Sequence, residues 1–385
     1  MTTLAVPPQS RPSSRPLPMR KRRWELALLA LAFLALSLLA VATLLVERTG
    51  EDSIGSLIAG DAVGPEESSP AAPATTPPRF GVNLSGAEAR GTDAVRPTLV
   101  DLRHHVEQLR FDMIRYPFKM DRMIPDRITE LRTLTDYARS RDVRFILDNH
   151  NYGWPPVEAQ IAFWTRFARH FPDDGSVLLD LNNEPKGVEW MRWASDAKQV
   201  VAGLRRGGIR HPILLEWPGW SAVTRFDKHE ARDKPCESAG CALDRTPGPL
   251  DPLGRTYMNG HRYFDANGSG LTAACLQRNG TARERSGFVA FAAQLRQRGL
   301  QGYITEAAFG NYRGIPESCK VVGDEAVRAI RTNADVLRGI TWWGGGRLWP
   351  DRYPFKIECP KAQRTTCPPS VYQQAISPRL AARAN

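Results

Sequence analysis

VLLDLNNEP, residues 177–185, decides how this chain is read. It opens on apolar residues, turns polar, and closes on Glu184 and a proline. GYITEAAFG, residues 302–310, follows the same course and carries Glu306. Each has the length and composition of a buried strand that becomes polar at its C-terminal end. Two such residues, distant in sequence, share one pocket when parallel strands close into a barrel, because all the C-terminal ends then converge on one face.

Six more runs of this kind flank the pair: RFGVNLSG (79–86), MIRYPF (113–118), RFILDNHN (144–151), PILLEWPG (212–219), TYMNGHRYF (256–264) and GITWWGGG (339–346). Helix-patterned stretches alternate with them, at 127–141, 157–171, 190–206, 285–298 and 324–337. Eight strand–helix units in this order predict an α/β fold of the (β/α)8 TIM-barrel type. A doubly wound open sheet is the alternative, but no glycine-rich phosphate loop follows the first run. Asn151, Glu184, Tyr263, Glu306 and Trp343 fall at the C-terminal ends, where barrel enzymes keep their active sites.

The N-terminal part reads differently. Residues 1–23 end in the basic cluster MRKRR, and 24–46 form an apolar run long enough to cross a bilayer as a helix. The positive-inside rule then puts 1–23 in the cytoplasm and the rest of the chain outside it. Two readings stay open: an uncleaved signal anchor, single-pass in the cell membrane, or a signal peptide cleaved after Ala40-Val41-Ala42 and a secreted protein. Residues 47–78 are rich in Pro, Ala, Ser and Thr and read as an extended linker to a domain at 79–385. The net charge of +11 is not a nucleic-acid signature, since residues 1–46 hold +5 of it and the remainder is scattered.

All six cysteines lie beyond residue 235. An even count in an exported domain reads as disulfides, with about 15 connectivities open to six cysteines. Cys236 with Cys241 and Cys359 with Cys367 would close short loops, and Cys275 with Cys319 would tie two longer ones. No CxxC and no neighbouring histidine pair suggests zinc, so neither metal nor cofactor is expected.

NEP at Glu184 and TE at Glu306 resemble glycoside hydrolase family 5, a cellulase family, and in particular its endoglucanase branch. LDNHNY (147–152) resembles that family's third-strand motif and HRYFDANGSG (261–270) its sixth-strand loop. IRYPF resembles the strand that supplies an arginine, and TWWGGG the one that supplies a tryptophan. The resemblance runs from Arg79 to about Trp349. It implies that Glu184 is the acid/base and Glu306 the nucleophile of a retaining reaction. It further implies that Arg115 and Tyr263 bond Glu306, that Asn183 holds a sugar 2-hydroxyl, and that His150 and His261 contact hydroxyls or orient the carboxyls. Trp343 is then the floor of the cleaved-bond subsite, although tandem Trp342 competes, because only one of two neighbours on a strand faces inward.

Trp154, Trp217 and Trp220 lie just past strand ends and are further candidates to stack on sugars. Trp164, Trp190 and Trp193 read as packing residues, and His104 and His105 as surface residues of a helix. The stretch 227–254 reads as an insertion, and the tail after Trp349 has no counterpart. Asn83, Asn267 and Asn279 have sequon spacing.

The expectation is a monomeric endo-β-1,4-glucanase acting on a β-glucan outside the cytoplasm. It would associate with the membrane through its N-terminal helix and have no nucleic-acid partner. The alternatives are a retaining hydrolase of another β-glycan (mannan, xyloglucan, mixed-linkage glucan or an exopolysaccharide) and a non-catalytic glycan-binding protein.

Overall fold

In the computed structural model the described residues are 76–89, 93–228, 230–265, 268–275, 286–363 and 366–381. All lie in one compact unit that begins at residue 72. Eight parallel strands close into a barrel in sequence order: β1 (Arg79–Ser85), β2 (Met113–Phe118), β3 (Arg144–Asn149), β4 (Val177–Asp180), β5 (Ile213–Leu215), β6 (Thr256–Tyr263), β7 (Gly302–Ala308) and β8 (Leu337–Gly346). The predicted α/β barrel is therefore the observed fold. The helices are α1 (Leu99–Arg103), α2 (Pro125–Ser140), α3 (Val157–Ala168), α4 (Trp190–Arg206), α5 (Ala239–Arg245), α6 (Phe288–Gln297), α7 (Glu317–Thr332), α8 (Val371–Ile376) and α9 (Pro378–Ala381).

Strand alternation builds the barrel interior in layers. Met113, Ile146, Leu178, Leu214 and Tyr303 form an apolar layer inside. Their sequence neighbours Ile114, Leu147, Leu179, Leu215 and Ile304 point outward into the core shared with the helices. Two residues on from the inner layer, Arg115, Asp148, Asp180, Glu216 and Thr305 turn inward again, buried and polar. This polar layer lies above the apolar one, toward the C-terminal ends of the strands.

The helices bury one stripe each. In α4, Trp193, Ala194, Ala197, Val200, Val201 and Leu204 face the barrel at helical spacing. Glu189 caps its start by accepting from the N–H groups of Met191 and Arg192. α7 starts earlier than the 324–337 pattern suggests, because Pro316 precedes it, and Leu337 already belongs to β8. α6 starts at Phe288, after Gly287 in the left-handed region.

Two sequence readings are corrected here. The stretch 227–254 is not merely an insertion, because α5 occupies the crossover between β5 and β6. His104 and His105 are not surface residues: both are buried. His105 Nε2 lies 2.8 Å from Glu358 Oε1. Burial pushes His104 down to about 4. The cause is the C-terminal tail, which covers this side of the barrel. Gly344 allows the close approach, since a Cβ there would sit 2.0 Å from the Phe355 carbonyl oxygen.

All three expected cysteine pairs are disulfides. Asn83 is fully buried in β1 and donates to the Thr305 carbonyl, so its sequon is inaccessible in the folded barrel. Asn267 and Asn279 lie outside the described residues, as do 1–75 with the apolar run 24–46. Among the described residues no helix is long and apolar enough to cross a membrane.

Candidate active site

Arg115, from β2, is the centre of the polar layer. It is fully buried and its fork reaches six acceptors. Nε donates to Asp180 Oδ2 (2.9 Å) and Nη1 to Asn83 Oδ1 (3.1 Å) and Glu306 Oε1 (2.7 Å). Nη2 donates to Asn183 Oδ1 (2.8 Å) and Glu216 Oε1 (3.0 Å), and lies 3.1 Å from Asp148 Oδ2. A guanidinium fits this task because its donors are rigid and it stays charged when buried.

Glu306 stands at the end of β7. Oε1 accepts from Arg115 and Oε2 from the Tyr263 hydroxyl at 2.8 Å. Burial alone would raise its pKa. The positive charges of His261, Arg115 and His150 and the Tyr263 bond outweigh it, holding the carboxyl down to about 2. A shift in the β6–β7 register between Gly260 and His261 puts His261 opposite Glu306, as irregularities beside active sites commonly re-aim a side chain.

Glu184 follows β4 in a left-handed conformation, φ +41°. For a residue other than glycine that costs about 1–3 kcal/mol, and such strain persists only where the surroundings over-determine it. The surroundings do so here. The Glu184 N–H donates to Glu216 Oε2 at 2.7 Å, the Asn183 N–H to the Asn149 carbonyl at 3.0 Å, and the Lys186 N–H to the Tyr152 carbonyl at 2.7 Å. The Glu184 pKa is raised, first by burial and then by the Glu306 charge, against the bond from His261.

His261 joins the two carboxyls. Its Nδ1 is 3.0 Å from Glu184 Oε1 and 3.7 Å from Glu306 Oε2, and its Nε2 is 3.2 Å from Glu216 Oε1. Burial opposes the imidazolium, but the charges of Glu216 and Glu306 and the bonds to Glu184 and Glu216 overcome it and lift its pKa well above the usual value. One atom from each of Glu184, His261 and Glu306 lies within 4.8 Å of the others. A cation could bridge such a trio, though Glu306 is already held by Arg115 and Tyr263.

Of the remaining expected residues Trp343 lines the cleft, while His150 and Asn183 are buried beside it. His150 bonds Asp148 Oδ2 through Nδ1 (2.8 Å) and stacks on Trp343, with 5.6 Å between centroids. Trp343 faces the cleft, whereas Trp342 is core and donates to the Ile376 carbonyl. Asn183 Nδ2 is buried without a hydrogen-bond partner. The cleft has a volume of about 760 Å³ and includes Tyr152, Trp220, Trp349 and Tyr353 in its walls.

Of the three further tryptophan candidates, Trp220 lines the cleft and is 55% exposed. Trp217 is corrected: it is fully buried against Phe226 and Phe291. Trp154 packs on the core and donates to Asp196. Trp164 and Trp193 are buried, as expected of packing residues, and Trp190 packs against the core partly buried.

Glu216, Asp180, Asp148 and Asn259 escaped sequence reasoning. Each is buried, and each touches Arg115, His150, His261 or another member of the layer. The available signal was an acid closing an apolar run, as in ILLE and VLLD, at the inward phase of strand alternation.

Residues 75–346 match the family described as Cellulase (glycosyl hydrolase family 5). A probable endo-beta-1,4-glucanase B of Aspergillus oryzae is 26% identical over 307 residues, covering 73% of this chain and 85% of the relative. Endoglucanase 3 of Humicola insolens is 25% identical over 305 residues, 73% of each chain. Among solved structures, an endo-beta-1,4-glucanase of Xanthomonas axonopodis pv. citri superposes with a TM-score of 0.66 at 23% identity, over 80% of this chain and all of its own. Cel5A from Hypocrea jecorina superposes with a TM-score of 0.63 at 20% identity, over 78% of this chain and 98% of its own. At these identities the structural likeness speaks for the fold.

Proposed function

The chain belongs to the cellulase family, glycosyl hydrolase family 5, and is a glycoside hydrolase; on that premise we propose that it is a retaining endo-β-1,4-glucanase with Glu184 as acid/base and Glu306 as nucleophile. The observation that carries this reading is the placing of both carboxyls on one ring nitrogen of His261, 3.0 and 3.7 Å away. Retaining enzymes hold their carboxyls about 5–5.5 Å apart, whereas an inverting pair needs about 6.5–9.5 Å to admit a water. A trio of atoms within 4.8 Å fits the first arrangement.

The reaction runs in two displacements. Glu306 attacks the anomeric carbon as Glu184 gives its proton to the departing glycosidic oxygen, leaving a covalent glycosyl ester. Glu184, now ionised, takes a proton from water, and the hydroxide opens the ester and restores both groups. The pKa of Glu306 is depressed and that of Glu184 is raised, each in the direction that its role requires. The free Nδ2 of Asn183 suits a sugar 2-hydroxyl, and Trp343 supplies an apolar face beside the reacting pair.

The substrate proposed is soluble or amorphous β-1,4-glucan. The catalytic unit is placed outside the cytoplasm on an uncleaved N-terminal anchor, because the apolar run continues past the small-residue site at 40–42. Detergent extraction with an intact N-terminus is the expected result, and a mature protein beginning at Thr43 would refute the anchor. Reducing-end release by the purified chain across a panel of soluble β-glycans tests the activity. Release from carboxymethylcellulose or barley glucan, lost in Glu184→Gln and Glu306→Gln, supports the proposal. Release from mannan alone would move the substrate, and binding without release would favour a glycan-binding protein.

A further inference from the structure

We propose that the Glu184 side of the cleft is a cation-lined subsite, formed by Lys186 and Arg225 around the aromatic faces of Tyr152 and Trp220, that receives a carboxylate-bearing sugar of an anionic β-glycan. This deepens the glucanase reading and rests on it for the identity of the chain that is cut.

Lys186 lies two residues beyond Glu184, its backbone fixed by the N–H bond to Tyr152 and a bridge to Gly153. Its ammonium lies 3.5 Å from the centre of the Trp220 ring and 4.4 Å from that of Tyr152. Lys119 approaches the same Tyr152 ring at 5.4 Å. Arg225 lines the cleft over Gly219, where a Cβ would be 3.4 Å from its Cδ and Nη1. Two lysines thus sit on two aromatic rings that are 38% and 55% exposed, and Arg225 stands on the same wall of the cleft.

The turn that carries Trp220 is built to hold it out. Gly219, Trp220 and Ser221 are all left-handed, with φ of 81°, 64° and 47°. Ser221 Oγ donates to the Asn259 carbonyl, and the His261 N–H donates to the Ser221 carbonyl at 2.8 Å. Strain of this kind accumulates at ligand clamps.

Elsewhere on this unit arginines are matched with acids: Arg139 with Asp174, Arg205 with Asp251, Arg296 with Asp335 and Arg298 with Asp244. Neither the Lys186 ammonium nor the Arg225 guanidinium has a hydrogen bond or carboxylate partner among the described residues. Of the cleft acids, Glu306 is matched by Arg115 and Glu184 by His261, so neither engages Lys186 or Arg225. A guanidinium fork fits a carboxylate, a ring face fits a pyranose, and a positive rim draws an anionic chain in.

The test measures binding of two oligosaccharides to the full chain carrying Glu184→Gln: cellopentaose, and the same oligomer with C6 oxidised to carboxylate. About tenfold tighter binding of the oxidised oligomer at low salt is expected, shrinking at high salt. In Lys186→Gln/Arg225→Gln the ratio of the two affinities should fall to within about twofold. Equal affinities in the parent, or a preference that survives the double substitution, would overturn the proposal. Turnover of both oligomers by the wild-type chain is read alongside. Cleavage without a binding preference refutes this subsite alone, whereas a preference without cleavage keeps the subsite and refutes the hydrolytic reading.

Discussion

The backbone N–H of Glu184 donates to Glu216 Oε2 at 2.7 Å, and the other oxygen of the same carboxylate accepts from Arg115 at 3.0 Å and faces His261 at 3.2 Å. One buried acid at the end of β5 therefore holds the strained backbone of the proposed acid and the cation that serves the proposed nucleophile.

Glu216→Gln keeps the shape but turns one acceptor into a donor facing donors. Loss of charge-assisted bonds at about 1.5–3 kcal/mol predicts a fall in kcat/KM of about 100-fold. A purely structural role would leave the pH profile in place. Because the Glu216 charge raises the Glu184 pKa, the alkaline limb should move to lower pH. An unmoved limb would contradict a positioning role.

Arg115→Lys loses the planar fork that serves six acceptors. Breaking buried pairs costs about 3–5 kcal/mol, so calorimetry should record a lower Tm. Arg115 also helps to hold Glu306 down to about 2. Weakening it raises that pKa, and the acid limb of kcat/KM should shift to higher pH.

Glu306→Gln removes a charge that raises the Glu184 pKa. The Glu184 carboxyl should then titrate at lower pH in the variant than in the wild type, as read by carbon NMR of labelled glutamate. A titration that stays in place would mean that the Glu306 charge does not contribute to the Glu184 value.

Cys275–Cys319 closes a loop with a sequence separation of 44 and ties the segment after β6 to α7. That segment lies against the site, since Tyr353 donates to the Gly270 carbonyl at 3.3 Å. Replacing both cysteines with serine should cost about 3–4 kcal/mol of stability by calorimetry. Steady-state kinetics should show KM rising more than kcat falls.

Much of the barrel was legible because parallel strands covered on both faces leave near-continuous apolar runs, such as VLLD and ILL, between helix patterns. Glu184 and Glu306 were legible through their flanking NEP and TE. Glu216, Asp180 and Asp148 were not, because an acid at a strand end is ordinarily solvated, and only inward phase with a shared cation makes it buried. His104 and His105 were misread for a related reason. Their burial depends on Glu358, hundreds of residues away, and no local pattern carries that contact. Trp217 and Trp220 look alike in WPGW; the left-handed turn between them sends one into the core and the other into the cleft.

The central claim is that Glu184 and Glu306 act across one glycosidic bond by double displacement. Proton NMR of the products in the first turnovers of cellopentaose reads the anomeric configuration directly. The account predicts that the β-anomer appears first and mutarotates to the α-anomer afterwards. Initial release of the α-anomer would show inversion and contradict the roles given to the two carboxyls.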